Sequence, residues 1–466
     1  METKAAADRN LKRIAIISTF GGLLFGYNTG TTNGALAFME KPSQLNLNPT
    51  MEGMVTGSIT LGAAIGALIG GRLSDKFGRK KIIWTMSWIF LFGALASAFS
   101  PTALFMVLAR FVLGLAVGCA SVTVPTFLAE ISTMEKRGKI VTQNELMIVG
   151  GQFLAFMINA VLGTIFAHNE GIWRWMLLMS FIPALVLFFG MKTVPESPRW
   201  LYMNKNKETA LASLEQIRTE KEAHEEINVI DISLKREKEA EEKSLSLGAA
   251  MKTPWIRRLI FLGVALGVMQ QLMGINVMMY YGTKVLTESG LGANTSLVVN
   301  TFNGLFSVIA TVVGMNLMHK IDRRKMIITG ITVSLISMTV ITTTIFTIPN
   351  SRFMPIIVML FIMLFISFFQ GCVGPVTWLL LSEIFPQRVR GLGMGIATFF
   401  LWITNFIVSL VFPILLANLG IGKTFMVFVV LNAISLLFAI KFVPETRGKS
   451  LEEIELDFKF GANFEG

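Results

Sequence analysis

LFMVLARFVLGLAVGCASVTVPTFLAEISTMEKRG, residues 104–138, opens with a run holding one charge, Arg110, and ends in a charged cluster. A helix needs about 20 mostly apolar residues to cross a bilayer, and Leu104–Ala129 exceeds that length. Outward from this stretch the pattern repeats. Ile82–Ser100 and Met326–Ile348 are equally long, and short charged clusters separate the apolar runs along the whole chain. The reading gives twelve spans, near 14–38, 54–72, 82–100, 104–129, 140–166, 173–193, 258–284, 295–318, 326–348, 354–381, 391–416 and 423–442. Composition agrees: 53% of residues are hydrophobic, 15% charged, and the mean hydropathy is +0.62. Soluble domains carry about 25% charged residues, so an ordinary soluble protein is excluded.

Basic residues set the orientation, because loops on the cytoplasmic side are enriched in Lys and Arg. One alternating set of segments holds Lys12, Arg13, Arg72, Lys76, Arg79, Lys80, Lys81, Lys136, Arg137, Lys139, Lys320, Arg323, Arg324, Lys325, Arg388 and Arg390. The other holds Lys41, Lys284, Arg352 and Lys423, with Arg174 at a span edge. A multi-pass protein of the cell membrane is expected, with both termini and the long central loop cytoplasmic. The net charge of +11 is then a topology signal, and no nucleic-acid partner is expected. Met1–Asn10 is short and polar and leads into a long span without a cleavage-like site, so no removable signal is read. Cys119 and Cys372 fall inside spans and read as small buried hydrophobes.

The quoted stretch has a twin. Glu130 precedes Arg137-Gly138 by the same seven residues that separate Glu383 from Arg390-Gly391. Val194-Pro195-Glu196 is echoed by Val443-Pro444-Glu445, and Asp75-Lys76-Phe77-Gly78-Arg79-Lys80 more weakly by His319-Lys320-Ile321-Asp322-Arg323-Arg324. Three echoes in one order imply a duplicated six-span unit, and an even number of spans gives both copies the same orientation. The division expected is 1–196 for the first half, 197–255 for a helical linker, 256–445 for the second half and 446–466 for a tail. The linker stretch Asn204–Lys243 is rich in Lys and Glu and reads as amphipathic cytoplasmic helices.

The loop Gly71-Arg72-Leu73-Ser74-Asp75-Lys76-Phe77-Gly78-Arg79-Lys80 resembles the signature of the major facilitator superfamily. Pro195-Glu196-Ser197-Pro198-Arg199-Trp200-Leu201, Pro444-Glu445-Thr446-Arg447-Gly448, Gln270-Gln271-Leu272-Met273-Gly274-Ile275-Asn276 and Gly21-Gly22-Leu23-Leu24-Phe25-Gly26-Tyr27 resemble its sugar porter family. Within that family, Thr142–Ile148 and Tyr280-Tyr281-Gly282-Thr283 look most like bacterial major myo-inositol transporters. The resemblance implies an all-α membrane protein of twelve helices in two parallel six-helix halves. It also implies a secondary transporter of a monosaccharide or cyclic polyol.

A polyol is all hydroxyls, each able to donate and accept, and Gln and Asn side chains match that dual capacity. Gln270, Gln271 and Asn276 lie at positions i, i+1 and i+6 of the seventh span. On a straight helix at roughly 100° per residue no single face holds all three, so convergence on one ligand requires the span to unwind between them. Gly274 is the expected break, since broken helices build midplane sites in transporters. By resemblance, these amides line the sugar cavity together with Phe25, Gln152, Asn303, Trp378, Trp402 and Asn405. Two positions depart from the family pattern: Val373 stands where a second aromatic is common, and Leu401 where a Gln is usual. Both point to a cavity altered for a different ring.

Proton coupling is open at this level. Proton-coupled relatives carry an Asp after Phe-Gly-Tyr, paired with an Arg in the fourth span. Here the pair is Asn28 and Arg110. Asn carries no proton, which by itself predicts a facilitator. Glu145 stands where the family's sugar-contacting Gln is expected, and three readings of it compete. It is a buried proton carrier, an ionised acceptor of substrate hydroxyls offset by Arg110, or a residue at the wet cytoplasmic edge.

The resemblance further implies that Asp75, Arg79, Glu130, Arg137, Glu196, Glu383, Arg390 and Glu445 form a cytoplasmic charge network. It bridges the halves in the outward-open state. Glycines in the first, second and fourth spans suit close helix approach. No cofactor, metal or catalytic residue is expected: the chain lacks His-Glu-x-x-His, Gly-x-Ser-x-Gly and a P-loop, and its histidines, His168, His224 and His319, fall outside the spans. The expected ligands are a polyol or sugar and, if coupled, protons. One chain holds a complete pathway, so a monomer is the expected working unit. The rival functions are a proton-independent facilitator of glucose, xylose or a related sugar, and a membrane sugar sensor that does not transport.

Overall fold

The computed structural model describes residues 4–242, 247–318, 320–349, 351–449 and 451–460. His319 and the side chain of Arg137 lie outside that description. The described residues form helices and no strand. The first five spans are Lys4–Met39, Pro49–Phe77, Arg79–Ala98, Ala103–Ile131 and Met134–Ile165. The sixth runs as Ile172–Leu178 and Phe181–Lys192, the seventh as Pro254–Leu272 and Ile275–Glu288, and the next two are Ala293–Leu317 and Arg323–Thr347. The tenth is Met354–Phe368, a π-helical turn at Phe369–Val373, and Gly374–Ile384. The eleventh and twelfth form one helical run, Arg390–Phe442, bent where Gly420 takes φ 73°.

Caps explain several starts. Asn48 accepts from the Met51 N–H at 2.8 Å with Pro49 next to it, and Thr102 accepts from Phe105 at 3.2 Å. Each side chain satisfies one of the amides that a helix leaves unpaired at its first turn. The outward face is apolar, with Phe92, Leu104 and Leu437 exposed, as a lipid-facing surface requires.

Two seams hold the first half together. Along the first span, Gly22, Gly26, Gly30 and Gly34 sit against Asn144, Ile148, Gln152 and Asn159 of the fifth. Along the second, Gly62, Gly66 and Gly70 meet Gly114, Leu115 and Cys119 of the fourth. At both seams a methyl group would overlap backbone or side-chain atoms of the facing helix, so only glycine permits the approach.

The linker helices Pro198–Asn204, Lys207–Leu214 and Glu220–Glu242 bury a small core of their own, Ala210, Leu214, Ala223, Ile227, Ile230 and Leu234. They dock on the first half. Arg218 donates to the Ile131 carbonyl at 2.9 Å and pairs with Glu226 at 2.6 Å, while Trp200 Nε1 donates to the Asp75 carbonyl at 2.7 Å. The final helix, Leu451–Phe460, instead packs on the seventh and tenth spans of the second half. The end of the bundle holding the linker is the basic end, and its opposite is the far end.

Candidate functional site

The seventh span breaks where its amides require it. Met273 and Gly274 interrupt the helix, and Gly274 takes the left-handed φ of 93° that a side chain would resist. Two contacts fix the break: Asn432 Nδ2 donates to the freed Met273 carbonyl at 3.1 Å, and the Phe428 ring packs on Gly274. The break brings Asn276 within hydrogen-bond distance of Gln271, whose Oε1 accepts from Asn276 Nδ2 at 2.5 Å. Gln270, one residue away, turns to the tenth span and donates to the Gly374 carbonyl at 3.5 Å.

Other polar groups sit at mid-span on both halves. Gln152 Nε2 donates to Thr29 at 3.3 Å, Asn303 Nδ2 to Asn300 at 3.0 Å, and Asn405 Nδ2 to the Tyr280 hydroxyl at 3.5 Å. Phe25 of the first half and Trp402 of the second approach to 5.7 Å between ring centroids. The buried Oε1 atoms of Gln152 and Gln270, Asn303 Oδ1 and Trp402 Nε1 accept or donate no hydrogen bond within the protein. Leaving such a group unpaired costs about 1–3 kcal/mol, which substrate hydroxyls or water would recover. Trp378 differs from Trp402: it is 39% exposed and forms no ring contact with the Phe25–Trp402 pair.

Arg110 is fully buried. Its Nη2 donates to the Asn28 carbonyl at 3.0 Å and to the Thr32 hydroxyl, and its Nε and Nη1 have no partner. Asn28 uses its own side chain within its helix, donating to the Leu24 carbonyl at 2.9 Å. Glu145 is exposed, and no ion pair joins it to Arg110. Glu145 lies two helical turns, about 10 Å, below Gln152 on one face of the fifth span.

The basic end is organised within each half. Arg79 pairs with Asp75 and Glu130, both at 2.9 Å, and Glu196 accepts from the backbone N–H of Lys80 at 2.9 Å and of Ser197 at 2.8 Å. Burial pushes the Glu196 carboxyl above its usual range, against the pull of those N–H donors. The second half repeats the motif: Arg323 pairs with Glu383 at 3.5 Å, and Glu445 accepts from the N–H of Arg323 at 3.1 Å and of Arg324 at 3.0 Å. Arg390 donates to the Phe385 carbonyl at 3.2 Å while its Nη2 is buried without a partner. None of these bonds crosses between halves.

The far end is the reverse. Lys284 of the seventh span reaches Glu40 of the first at 2.9 Å and Glu52 of the second at 2.7 Å. Asn33 of the first span bonds the seventh-span backbone at Met278, Met279 and Thr283. This latch escaped sequence reasoning, which looked for carboxylates deep inside spans. Glu52 lies in the first turn of the second helix yet is 2% exposed. Three charges flanking the ends of the first, second and seventh spans were the available signal.

Residues 14–458 match the model of the family described as sugar (and other) transporter. The chain is 48% identical over 449 residues to the major myo-inositol transporter IolT of Bacillus subtilis (strain 168), covering 96% of this chain and 94% of that one. It is 47% identical over 459 residues to the putative metabolite transport protein YncC of the same organism, covering 98% and 97%. Among solved structures, the inward-open conformation of the xylose transporter XylE from E. coli superposes with a TM-score of 0.82 at 29% identity, over 96% of this chain and 99% of that one. XylE bound to 6-bromo-6-deoxy-D-glucose gives 0.75 at 29% identity, over 97% and 99%. The closer likeness to the inward-open form accords with a bundle whose far end is latched by Lys284 and whose Arg79 and Arg323 ion pairs stay within their own halves.

Proposed function

The chain belongs to the sugar transporter family of the major facilitator superfamily, and from that premise we propose that it carries a monosaccharide or cyclic polyol, myo-inositol foremost, across the cell membrane by alternating access. The observation that carries the reading is the broken seventh span, with unpaired amide and indole groups at mid-span on both halves. Likeness to a myo-inositol transporter along nearly the whole chain supports the substrate. The basic end and both termini face the cytoplasm in this proposal, as the distribution of Lys and Arg favours. Asp75, Arg79, Glu130, Arg137 and Glu196 then meet Glu383, Arg390 and Glu445 when the far end opens. Such half-wet ion pairs contribute about 0–1 kcal/mol each, weak enough to break every cycle.

For coupling, Glu145 is the group we assign to the proton: it is the carboxylate on the face of the fifth span that also carries Gln152. Two observations favour the other reading, a facilitator. Glu145 is exposed, as a residue at a wet edge is. Arg110 is held by the Asn28 carbonyl and not by a titratable side chain. Uptake of labelled myo-inositol into proteoliposomes, with and without an inward proton gradient, separates the two for the native chain and Glu145→Gln. Accumulation that Glu145→Gln reduces to equilibration supports symport. Equilibration by the native chain regardless of gradient makes it a facilitator, and no uptake at all sinks the myo-inositol assignment in favour of another sugar.

A further inference from the structure

Where the third span meets the sixth at the basic end, a crevice of about 310 Å3 is lined by Lys80, Lys81, Trp84, Met191, Lys192 and Glu196. It opens beside an aromatic wall. Trp84 stacks on Phe188 at 5.6 Å, Phe188 meets Trp88 edge-on at 4.6 Å, and Trp88 stacks on Phe92 at 5.5 Å. From Trp84 to Phe92 this wall follows the helix about 12 Å into the apolar layer. Trp88, Phe92 and Phe189 are exposed, so the wall lies on the outside of the bundle, where acyl chains run.

The charges in the crevice are unbalanced. Among the described residues Lys80, Lys81 and Lys192 form no ion pair, and the one carboxylate lining the crevice, Glu196, is occupied by the backbone N–H groups of Lys80 and Ser197. The ammonium groups make weaker contacts. Lys192 lies over the Phe188 ring at 4.7 Å, Lys81 over Phe77 at 5.5 Å, and Lys80 donates to the Lys192 carbonyl at 3.4 Å. The indole N–H of Trp84 is buried and has no acceptor. Three cations and a spare donor above an apolar wall complement a molecule with an anionic head and hydrocarbon tails.

We propose that this crevice binds an anionic glycerophospholipid, its phosphodiester among Lys80, Lys81 and Lys192 and its acyl chain along Trp84, Phe188 and Trp88. Basic clefts between helix ends bind anionic headgroups in this way, each lysine near the surface strengthening binding roughly fivefold. Which leaflet supplies the lipid rests on the orientation proposed above, while binding itself does not. Glu196 joins the crevice to the charge network through Ser197, whose hydroxyl donates to Glu130 at 2.5 Å.

The test uses tryptophan fluorescence of the full chain in phosphatidylcholine nanodiscs, doped with phosphatidylglycerol carrying brominated acyl chains. The difference between the native chain and Trp84→Phe isolates the Trp84 signal. Saturable quenching of that signal by brominated phosphatidylglycerol, beyond that by brominated phosphatidylcholine, is expected. In the combined variant Lys80→Gln, Lys81→Gln, Lys192→Gln the apparent affinity falls about 100-fold, and in Lys192→Gln alone about fivefold. Equal quenching by the two brominated lipids overturns the proposal, and so does unchanged affinity in Lys192→Gln. Relief of the quenching by millimolar inorganic phosphate assigns the lysines to a free anion and overturns the lipid.

Discussion

In the first half, helices touch backbone to backbone along two glycine seams, and the four helices that form those seams run unbroken through their spans. In the second half, a comparable contact occurs where Gly314 meets the Gly371 carbonyl, but the spans that carry the site break, at Met273–Gly274 and at the π turn Phe369–Val373. A duplicated unit has thus divided two tasks. Tight seams make the first half a stiff body, whereas the second half interrupts its helices to aim amides that a straight helix would scatter. The far-end latch ties one to the other through Lys284 on the broken span and Asn33 on the first.

The sharpest way to break this contrast is at the seam. Gly26→Ala places a methyl on the Ile148 carbonyl and is expected to cost about 3 kcal/mol or more, read as a lost or much lowered melting transition. Gly150→Ala in the neighbouring helix meets nothing within 4 Å and should melt as the native chain does or slightly higher. Next in size is the latch. Lys284→Met removes charge-assisted bonds to Glu40 and Glu52, shifting the balance between far-end-closed and far-end-open forms by about 1.5–3 kcal/mol. Thiol labelling of a cysteine placed near Asn33 should accelerate accordingly; unchanged labelling would remove the latch from the gating account.

Gln271→Ala should weaken substrate by about 1–3 kcal/mol, raising the half-saturating concentration at least fivefold while leaving the melting temperature near native. Normal affinity in that variant counts against the cavity. The smallest effect expected is on the break itself. Gly274→Ala keeps the fold but strains a left-handed residue by about 1–2 kcal/mol and sets its methyl against the Phe428 ring, which must shift, seen as a lowered melting temperature with impaired uptake. If uptake and melting both stay native, the break is not needed to aim the amides.

The twelve spans were readable because a bilayer imposes length and apolarity on every crossing, and Gly274 because the angles of Gln270, Gln271 and Asn276 do not fit one face. Those arguments are local. The pairing of Lys284 with Glu40 and Glu52 is not: it joins residues more than 200 positions apart whose own neighbourhoods look like ordinary loop edges. The pairing of Asn28 with Arg110 was legible, but that Arg110 would take the Asn28 carbonyl and the Thr32 hydroxyl was not, since a backbone carbonyl carries no signature in sequence. Trp378 and Trp402 share a residue type and an implied role, yet their surroundings differ, because Trp402 packs on Phe25 of the first half and Trp378 stays 39% exposed.

The two appendages at the basic end are anchored to different halves, the linker helices by their hydrogen bonds to the first, with Glu220–Glu242 also touching Gln387–Val389, and Leu451–Phe460 to the second. They form a built-in ruler. A fluorophore on exposed Met203 and another near exposed Leu456 would report each opening and closing as a change in separation, without a label touching the pathway. Working strokes could then be counted molecule by molecule, whichever solute is being carried.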